Sequence, residues 1–377
     1  MASESVSPVT MAPPRRAALG PVAWLRENLF SSWGNTLLTA IGLLIAYKAA
    51  AAILEWGILN ATFTGEDGSA CSREGAGACW PYIAAKFGQF MYGRYPSDER
   101  WRVDLVYALA LAGLVPLMIP RVPGKLWNAV YVFGVFPVLA FFLLTGGAFG
   151  LAPVDTSLWG GLLVTLVVAT VGIAGSLPIG ILLALGRRSK MPIVRWVSIG
   201  FIEFVRGVPL ITVLFMASVM LPLFLPPGMS FDKLLRALIG VALFAAAYMA
   251  ENIRGGLQAI PRGQFEAAEA LGLSYSKRMG LVILPQALKL VIPGIVNTFI
   301  GLFKDTSLVL IIGLFDLLGI VQLNNTDQKW FSPTTAMTGY VFAGFVFWMF
   351  CFFMSRYSQM LERRLATGHE RGPLRGG

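Results

Sequence analysis

A short polar segment between two hydrophobic stretches is the clearest candidate for a site of contact. It runs from Gln264 to Gly272 and continues to Leu284-Pro285. Residues Glu266 to Leu271 are good helix formers, and Gly272 stands where a helix would end. The segment is therefore predicted to form a short ordered helix outside the membrane that serves as a docking surface.

A second group of polar side chains follows the next hydrophobic stretch. Its members are Asn297, Gly301, Lys304, Asp305, Thr306 and Ser307. The first three share one helical face. A polar amide side chain is costly at membrane depth unless it has a function, which favours a pathway role for Asn297. In the alternative interpretation, Lys304 pairs with Asp305, and Thr306-Ser307 cap the half-helix that follows.

Catalytic and metal chemistry within the chain is largely excluded by residue counts. The only histidine, His369, lies in the C-terminal tail, so neither a histidine metal site nor a Ser-His-Asp triad is expected. No Gly-rich loop ends in Gly-Lys-Ser or Gly-Lys-Thr, so ATP hydrolysis through that motif is excluded. Cys71 and Cys79 either form a disulfide in an exported loop or remain two thiols.

Composition places the chain in a membrane. Of 377 residues, 56% are hydrophobic and 13% are charged, whereas soluble domains carry about 25% charged residues. The net charge of +10 indicates positive-inside topology before it indicates a nucleic-acid partner. We therefore expect an all-α polytopic membrane protein in contact with lipid and without nucleic acid.

About eight transmembrane helices are predicted, because each hydrophobic stretch can cross a core of ~30 Å. They lie near 33–54, 103–119, 126–146, 159–186, 196–222, 233–250, 287–303 and 337–355. Segment 55–102 is expected to be a periplasmic loop. Crossing by 308–321 would place Arg356, Arg363 and Arg364 outside, against the positive-inside bias, so this stretch is predicted to be re-entrant. That makes 304–320 the best candidate for lining a pathway.

Three local patterns predict contacts within the membrane region. Small residues at every fourth position, Gly172, Ser176, Gly180 and Ala184, predict close helix packing. Glu203 and Arg206 stand three apart and are predicted to form an interfacial ion pair on one helical face, in preference to a substrate contact. Glu251, Arg254 and the pair Gly255-Gly256 are predicted to end the sixth span.

The polar segment also resembles the "EAA loop" of ABC importer permeases. The matching pattern is Glu266-Ala267-Ala268, three residues, Gly272, nine residues, Val282, one residue, Leu284-Pro285, with Val282 where the family usually has Ile. Other segments are similar to the polar amino-acid subfamily: 183–189, 204–210, 247–257 and 303–308. Residues 1–156 are long for this family and resemble the shorter permease subunit of general L-amino-acid transporters.

The resemblance implies a five-helix type I ABC importer core that works with partner chains. The partners would be a sister permease in a heterodimer, a cytoplasmic ABC ATPase dimer that holds ATP and Mg, and a periplasmic amino-acid binding protein. The chain would not be an enzyme and would need no cofactor or metal of its own. Coupling to the ATPase is expected through Glu266, Ala267, Ala268, Gly272, Leu284 and Pro285. Glu266 would either contact the ATPase or stabilise its own helix N-terminus.

The function implied is import of L-amino acids across the bacterial inner membrane, with both termini cytoplasmic. A zwitterionic substrate needs acceptors for its ammonium and donors for its carboxylate, which suits the polar group at 297–307. The alternative is an ion-coupled secondary transporter, for which internal repeats are expected and none is found. The expected domains are a lead-in at 1–32, a membrane extension at 33–156, the importer domain at 157–365 and a tail at 366–377.

Overall fold

The computed structural model of the chain describes residues 20–226 and 231–366. Most of the predicted lead-in, most of the predicted tail and His369 lie outside these ranges. The described chain has seven helices long and apolar enough to cross a membrane, or eight if one bent pair is counted as a span. The predicted all-α polytopic class is therefore confirmed.

The chain divides into two compact units, and the first comprises residues 20–62 and 73–78. It holds the short helix α1 (Pro21–Asn28) and the long helix α2 (Trp33–Leu54), which continues as a π-helical turn through Leu59. The Ser32 hydroxyl accepts from the Asn35 amide at 3.1 Å and so caps α2. No side chain of α2 is buried in this structure.

The second unit comprises residues 63–72 and 79–366 and begins within segment 55–102. Helix α3 (Trp80–Tyr92) lies inside segment 55–102, so this predicted loop between membrane spans contains ordered helical structure. Helix α4 (Arg100–Met118) follows, and then α5 (Lys125–Val130) and α6 (Phe136–Thr145), joined by a π turn. Hydropathy missed α3 because its length of 13 residues is too short for a span.

The remaining helices form the C-terminal half of this unit. They are α7 (Leu162–Arg187), α8 (Pro192–Gly207), α9 (Leu210–Phe215), α10 (Lys233–Ala259), α11 (Arg262–Ala270), α12 (Tyr275–Lys277), α13 (Leu284–Asp305), α14 (Leu317–Asn324) and α15 (Thr335–Ala366). A π-helical stretch joins α12 to α13, and a 3-10 stretch extends α13 to Ile312. The predicted span at 287–303 is thus the middle of a 38-residue helix, Tyr275–Ile312.

Helices α7 and α10 form the most extensive helix pair of the fold. The predicted small-residue stripe is the reason they approach closely. A Cβ on Gly172 would lie 2.9 Å from a Val241 methyl, and one on Gly180 would lie 2.7 Å from Met249 Cβ. Because both positions are filled by the neighbouring helix, the stripe fixes how α7 sits on α10.

The predicted fifth span, 196–222, is two helices bent by 107°. The break falls at Val208 (φ −112°, ψ 136°) and Pro209 (φ −61°, ψ 144°), both extended. Proline has no N–H to donate, and its ring disfavours α geometry in the residue before it. The break was not predicted because the residues on both sides of it are apolar, although Pro209 marks its position.

The sixth span also extends beyond its predicted end. Gly255 and Gly256 do not end α10, which continues to Ala259 before Pro261. A Cβ on Gly256 would lie 2.6 Å from the Ala287 carbonyl oxygen, so this glycine permits close packing of α10 on α13. The residue is therefore a packing glycine and not a helix stop.

The segment predicted to be re-entrant does break its helical path. Gly313 has φ +74°, and Phe315-Asp316 forms a two-residue parallel strand with Gly160-Gly161. Helix α14 then begins, capped by the Asp316 carboxylate on the Gly319 amide at 2.8 Å. It is too short to count among the candidate spans.

A compact module built around a disulfide lies at the N-terminal end of α7, the end opposite Arg187. Cys71 and Cys79 are joined, with their Cα atoms 5.7 Å apart. Both cysteines are buried with Tyr82 and Phe90 of α3, against apolar side chains of α14 and α15. Segment 63–99 is thus largely an ordered, crosslinked structure.

Candidate functional site

Helix α11 ends in a paired hydrogen-bond pattern that its sequence anticipates. Gly272 adopts φ +72°, and its amide donates to the Glu269 carbonyl at 2.8 Å. The Leu273 amide donates to the Ala268 carbonyl at 3.3 Å. These two bonds make a Schellman motif, in which glycine takes the left-handed position without steric cost. The predicted helix and its glycine stop are confirmed.

One face of α11 is fixed to the rest of the chain. Ala268 is 2% exposed, and Phe265 packs against a buried cluster that includes Leu257 and Met279. The Arg188 guanidinium lies 5.5 Å from the centroid of the Phe265 ring and donates to the Leu257 carbonyl at 3.2 Å. The helix is therefore held by apolar packing and by a cation–π contact.

The other face of α11 is open. Glu266 and Ala267 are exposed, and Leu271 is 79% exposed. Glu266 makes no hydrogen bond or ion pair with any described residue. The helix begins at Arg262, which places Glu266 beyond the first turn, so the interpretation that it caps its own helix was wrong. A carboxylate and an exposed leucine thus face outward from a helix whose inner face is anchored.

The end of the predicted loop lies in a continuous helix. Val282 belongs to the π-helical stretch Arg278–Ile283, and Leu284-Pro285 begin α13. Pro285 cannot donate a backbone hydrogen bond, and the wider π turn before it accommodates that loss. Leu284 is half-buried against the cluster beneath α11, whereas Pro285 is exposed.

A network of five charged side chains lies at the same end of the helices. Glu251 on α10 is its centre, at 2.9 Å from Arg187 and 2.8 Å from Arg254. Arg206 approaches the same carboxylate at 3.7 Å, and Arg187 also contacts Glu203 at 2.8 Å. The network therefore joins α7, α8 and α10.

The predicted pair of Glu203 with Arg206 does not form. Arg206 turns to Glu251 and stacks on Tyr248, with 5.7 Å from its guanidinium carbon to the ring centroid. Sequence reasoning missed Arg187 as the partner of Glu203 because contacts between different helices leave no local spacing signal. The presence of charge in an apolar stretch was the only available signal for Glu251.

Three of the pathway candidates share an open face of α13. Asn297 and Lys304 are exposed, and nothing lies within 4 Å of the Cβ position of Gly301. Neither Asn297 nor Lys304 bonds through its side chain to another described residue. The predicted common face therefore exists, and its polar groups are free to meet something outside this chain.

The other three candidates behave differently. Thr306 is 1% exposed and donates to the Phe303 carbonyl at 2.8 Å, and Ser307 donates to the Lys304 carbonyl at 3.0 Å. These bonds return to the preceding turn, so the interpretation that the two hydroxyls cap the next half-helix was wrong. Lys304 and Asp305 form no ion pair within 4.0 Å, which contradicts their predicted pairing.

One residue that was not predicted is Asn252 on α10, whose side-chain amide forms hydrogen bonds to α13. Asn252 donates to Thr298 Oγ1 at 2.7 Å and to the Gly294 carbonyl at 3.3 Å. Together with Gly256, this contact aligns the helix before α11 with the helix after it. Within the described ranges, no group of three or more metal-ligating side chains occurs.

Known proteins resemble this chain along most of its length. The inner membrane amino-acid ABC transporter permease YhdY of Escherichia coli strain K12 is 55% identical over 364 residues, which cover 94% of this chain and 97% of YhdY. The glutamate/glutamine/aspartate/asparagine transport system permease BztC of Rhodobacter capsulatus is 42% identical, over 98% of this chain and all of BztC.

Other comparisons cover about half of this chain. A crystal structure of an amino acid ABC transporter with histidines superposes with a TM-score of 0.47 and 29% identity, over 54% of this chain and 92% of that one. The family described as "Binding-protein-dependent transport system inner membrane component" matches residues 176–367. These residues include α11, the charge network and the open face of α13.

The family match and the two long relatives confirm the resemblance to an importer permease and favour it over a secondary transporter. They also agree with a multi-pass protein of the inner membrane. The chain belongs to the binding-protein-dependent transport system inner membrane components, as a permease subunit of an ABC importer.

Proposed function

We propose that this subunit conducts L-amino acids into the cytoplasm and is driven through α11 by a separate ATPase. The relatives YhdY and BztC carry amino-acid transport in their names, which supports the substrate class. The observation that carries the coupling role is the open face of α11, with Glu266 and Leu271 outward and Phe265 and Ala268 anchored inward.

The orientation proposed puts α11 in the cytoplasm. Basic residues follow α7 at once (Arg188, Lys190) and occupy the last turn of α15 (Arg363, Arg364). Positive loops stay on the cytoplasmic side, so both termini lie there. The disulfide module then lies on the periplasmic side, where oxidising conditions favour the Cys71–Cys79 bond.

A rigid contact suits the transmission of movement. Helix α11 is joined to α10 at Pro261 and is followed by the long helix Tyr275–Ile312. The Arg278 guanidinium contacts Glu269 at 2.7 Å and braces the segment that follows. Displacement of α11 by an ATPase would therefore move α10 and α13 together, because Asn252 links those two helices.

Co-purification tests the coupling role. Burial of an unpaired carboxylate in an interface is costly, so Leu271→Asp should release the ATPase while the permease remains in the membrane. Gln258→Asp is the matched control, because Gln258 is exposed at the same end of the fold but lies on α10. Deletion of 266–272 should act like Leu271→Asp. Retention of the ATPase by both altered chains would refute the proposal.

The proposed pathway runs along the open face of α13. Asn297 and Lys304 can donate to a substrate carboxylate, and Gly301 leaves space between them. Lys304→Gln should lower uptake without loss of ATPase binding, whereas Lys289→Gln, an exposed lysine of the same helix, should not. Asn297→Ala should also lower uptake. Unchanged transport in both pathway variants would make these residues structural.

The proposed assembly contains a sister permease, an ATPase dimer holding ATP and Mg, and a periplasmic binding protein. Unpartnered polar groups on α13 support a second permease, because exposed charge at membrane depth needs a partner. The importer domain would cover 157–365, and 33–156 would be an extension. Purification of one tagged copy should recover a different permease; recovery of only a second identical copy would favour a homodimer.

A further inference from the structure

The corner between α7 and α8 contains a basic recess that the coupling role leaves unexplained. Its volume is about 400 Å³, and its lining includes Arg188, Lys190, Arg195 and Trp196. No acidic side chain lines it. Lys190 and Arg195 are exposed, and neither forms an ion pair or side-chain hydrogen bond with another described residue. Two cations thus stand with their charge uncompensated beside a third.

The recess opens beside an apolar helical face. On α8, Ile193, Val197 and Phe204 are exposed at spacings of four and seven residues, with Trp196 next to them. The opposite side of α8 is buried through Ile202 and Val205. A helix with this exposed face and cations at its first turn matches the pattern of elements that lie at a membrane interface.

We propose that this recess binds the phosphate of an anionic phospholipid from the cytoplasmic leaflet. The phosphate lies between Lys190 and Arg195, and the acyl chains lie along Ile193, Val197 and Phe204. This site rests on the orientation given above, which puts the α7–α8 corner at the cytoplasmic surface. A lipid is favoured over a soluble anion because the charged recess and the apolar face are contiguous, as the two parts of a lipid are.

The site is adjacent to the coupling helix. Arg188 lines the recess and also holds Phe265 of α11 from above its ring. A bound phosphate would add a negative charge on the recess side of Arg188 and restrain that side chain. Occupancy is therefore expected to favour the anchored position of α11, so that ATPase activity rises with anionic lipid.

Lipid counting on the purified complex tests the proposal. Native mass spectrometry is run with added phosphatidylglycerol or phosphatidylcholine on the natural complex and on Lys190→Gln/Arg195→Gln. Each cation near an anionic lipid contributes about a fivefold change in affinity, so the double variant should bind phosphatidylglycerol roughly 25-fold more weakly. The control, Lys277→Gln/Lys289→Gln, loses the same charge from exposed positions outside the recess and should bind normally.

Several results would overturn the lipid site. They are equal binding of the two lipids, normal binding by the recess variant, and displacement of phosphatidylglycerol by inorganic phosphate alone, which would indicate a soluble anion. Loss of the ATPase or the sister permease from the recess variant, with lipid binding unchanged, would assign the recess to a protein interface.

A second measurement protects the test against a folding defect. Brominated phosphatidylglycerol in vesicles should quench Trp196, and the quenched fraction should fall in Trp196→Phe. No difference between the two chains would refute the site. Whether the ATPase co-purifies is scored on the same sample, so failure of the coupling role is seen separately from failure of lipid binding.

Discussion

Two adjacent glycines of α10 should respond to alanine in opposite directions. Gly255 is exposed, and nothing lies within 4 Å of its Cβ position. Replacement of an unhindered helix glycine by alanine stabilises by about 1 kcal/mol. Gly255→Ala is therefore expected to raise the free energy of unfolding by about that amount.

Gly256→Ala gains the same propensity but meets a filled space. Its Cβ would lie 2.6 Å from the Ala287 carbonyl oxygen and 2.8 Å from a Val291 methyl. The carbonyl belongs to the backbone of α13 and cannot rotate away, so the two helices must separate. Overpacking of this kind costs about 1–3 kcal/mol. The gain in helix propensity is the same in both variants and cancels in the comparison. Gly256→Ala should therefore be less stable than Gly255→Ala by the overpacking cost, about 1–3 kcal/mol.

Thermal unfolding of the purified protein in detergent measures the difference. At roughly 2 °C per kcal/mol, Gly256→Ala should unfold about 2–6 °C below Gly255→Ala. The same separation of helices should weaken the Asn252 contact with Thr298 and raise hydrogen exchange in α11. Equal stabilisation by both substitutions would refute the close approach of α10 and α13 at Gly256.

Three further outcomes are expected. Gly272→Ala should destabilise the end of α11 by about 1–2 kcal/mol, since its φ of +72° disfavours a side chain; Gly272→Asn should be milder, and equal hydrogen exchange in all three proteins would contradict this. Phe265→Ala should increase exchange throughout α11, and Phe265→Leu should restore protection; an effect confined to Phe265 itself would argue against anchoring. The hydrogen bond from Lys86 lowers the pKa of Asp327 below its ordinary 3.8, so this pair stabilises the fold fully above that pH and less as the pH falls through the lowered pKa. Lys86→Gln should therefore flatten the acid end of the stability profile, and an unchanged profile would exclude the pair as its source.

Features encoded locally were predictable from sequence. The C-terminal end of α11 depends on Gly272 and on residues within one turn of it, so the helix and its stop were predictable, although the helix begins at Arg262 and not at the predicted Glu266. The apolar spans are likewise continuous in sequence. The small-residue stripe of α7 was predictable because one helix carries the whole pattern, although the identity of its partner, α10, was not.

Features that depend on distant segments were missed for a physical reason. Helix α3 has no span-length apolar run, and its stability comes from the disulfide and from packing on α14 and α15. Gly256 looked like a helix stop because the sequence does not show the backbone of Ala287 beside it. The break at Pro209 was available from proline chemistry, but the apolar residues on both sides concealed it from a hydropathy argument.

The charge network shows which ion pair forms when an arginine can reach more than one carboxylate. Sequence spacing paired Glu203 with Arg206, an exposed contact of a kind that contributes about 0–1 kcal/mol. Glu251 is less exposed than Glu203, and a partly desolvated carboxylate interacts more strongly with each nearby cation. Arg206 therefore turns to Glu251, and Arg187 bridges both carboxylates. In an apolar helix, the carboxylate with least access to water is thus a better guide to the centre of a network than the nearest opposite charge in sequence.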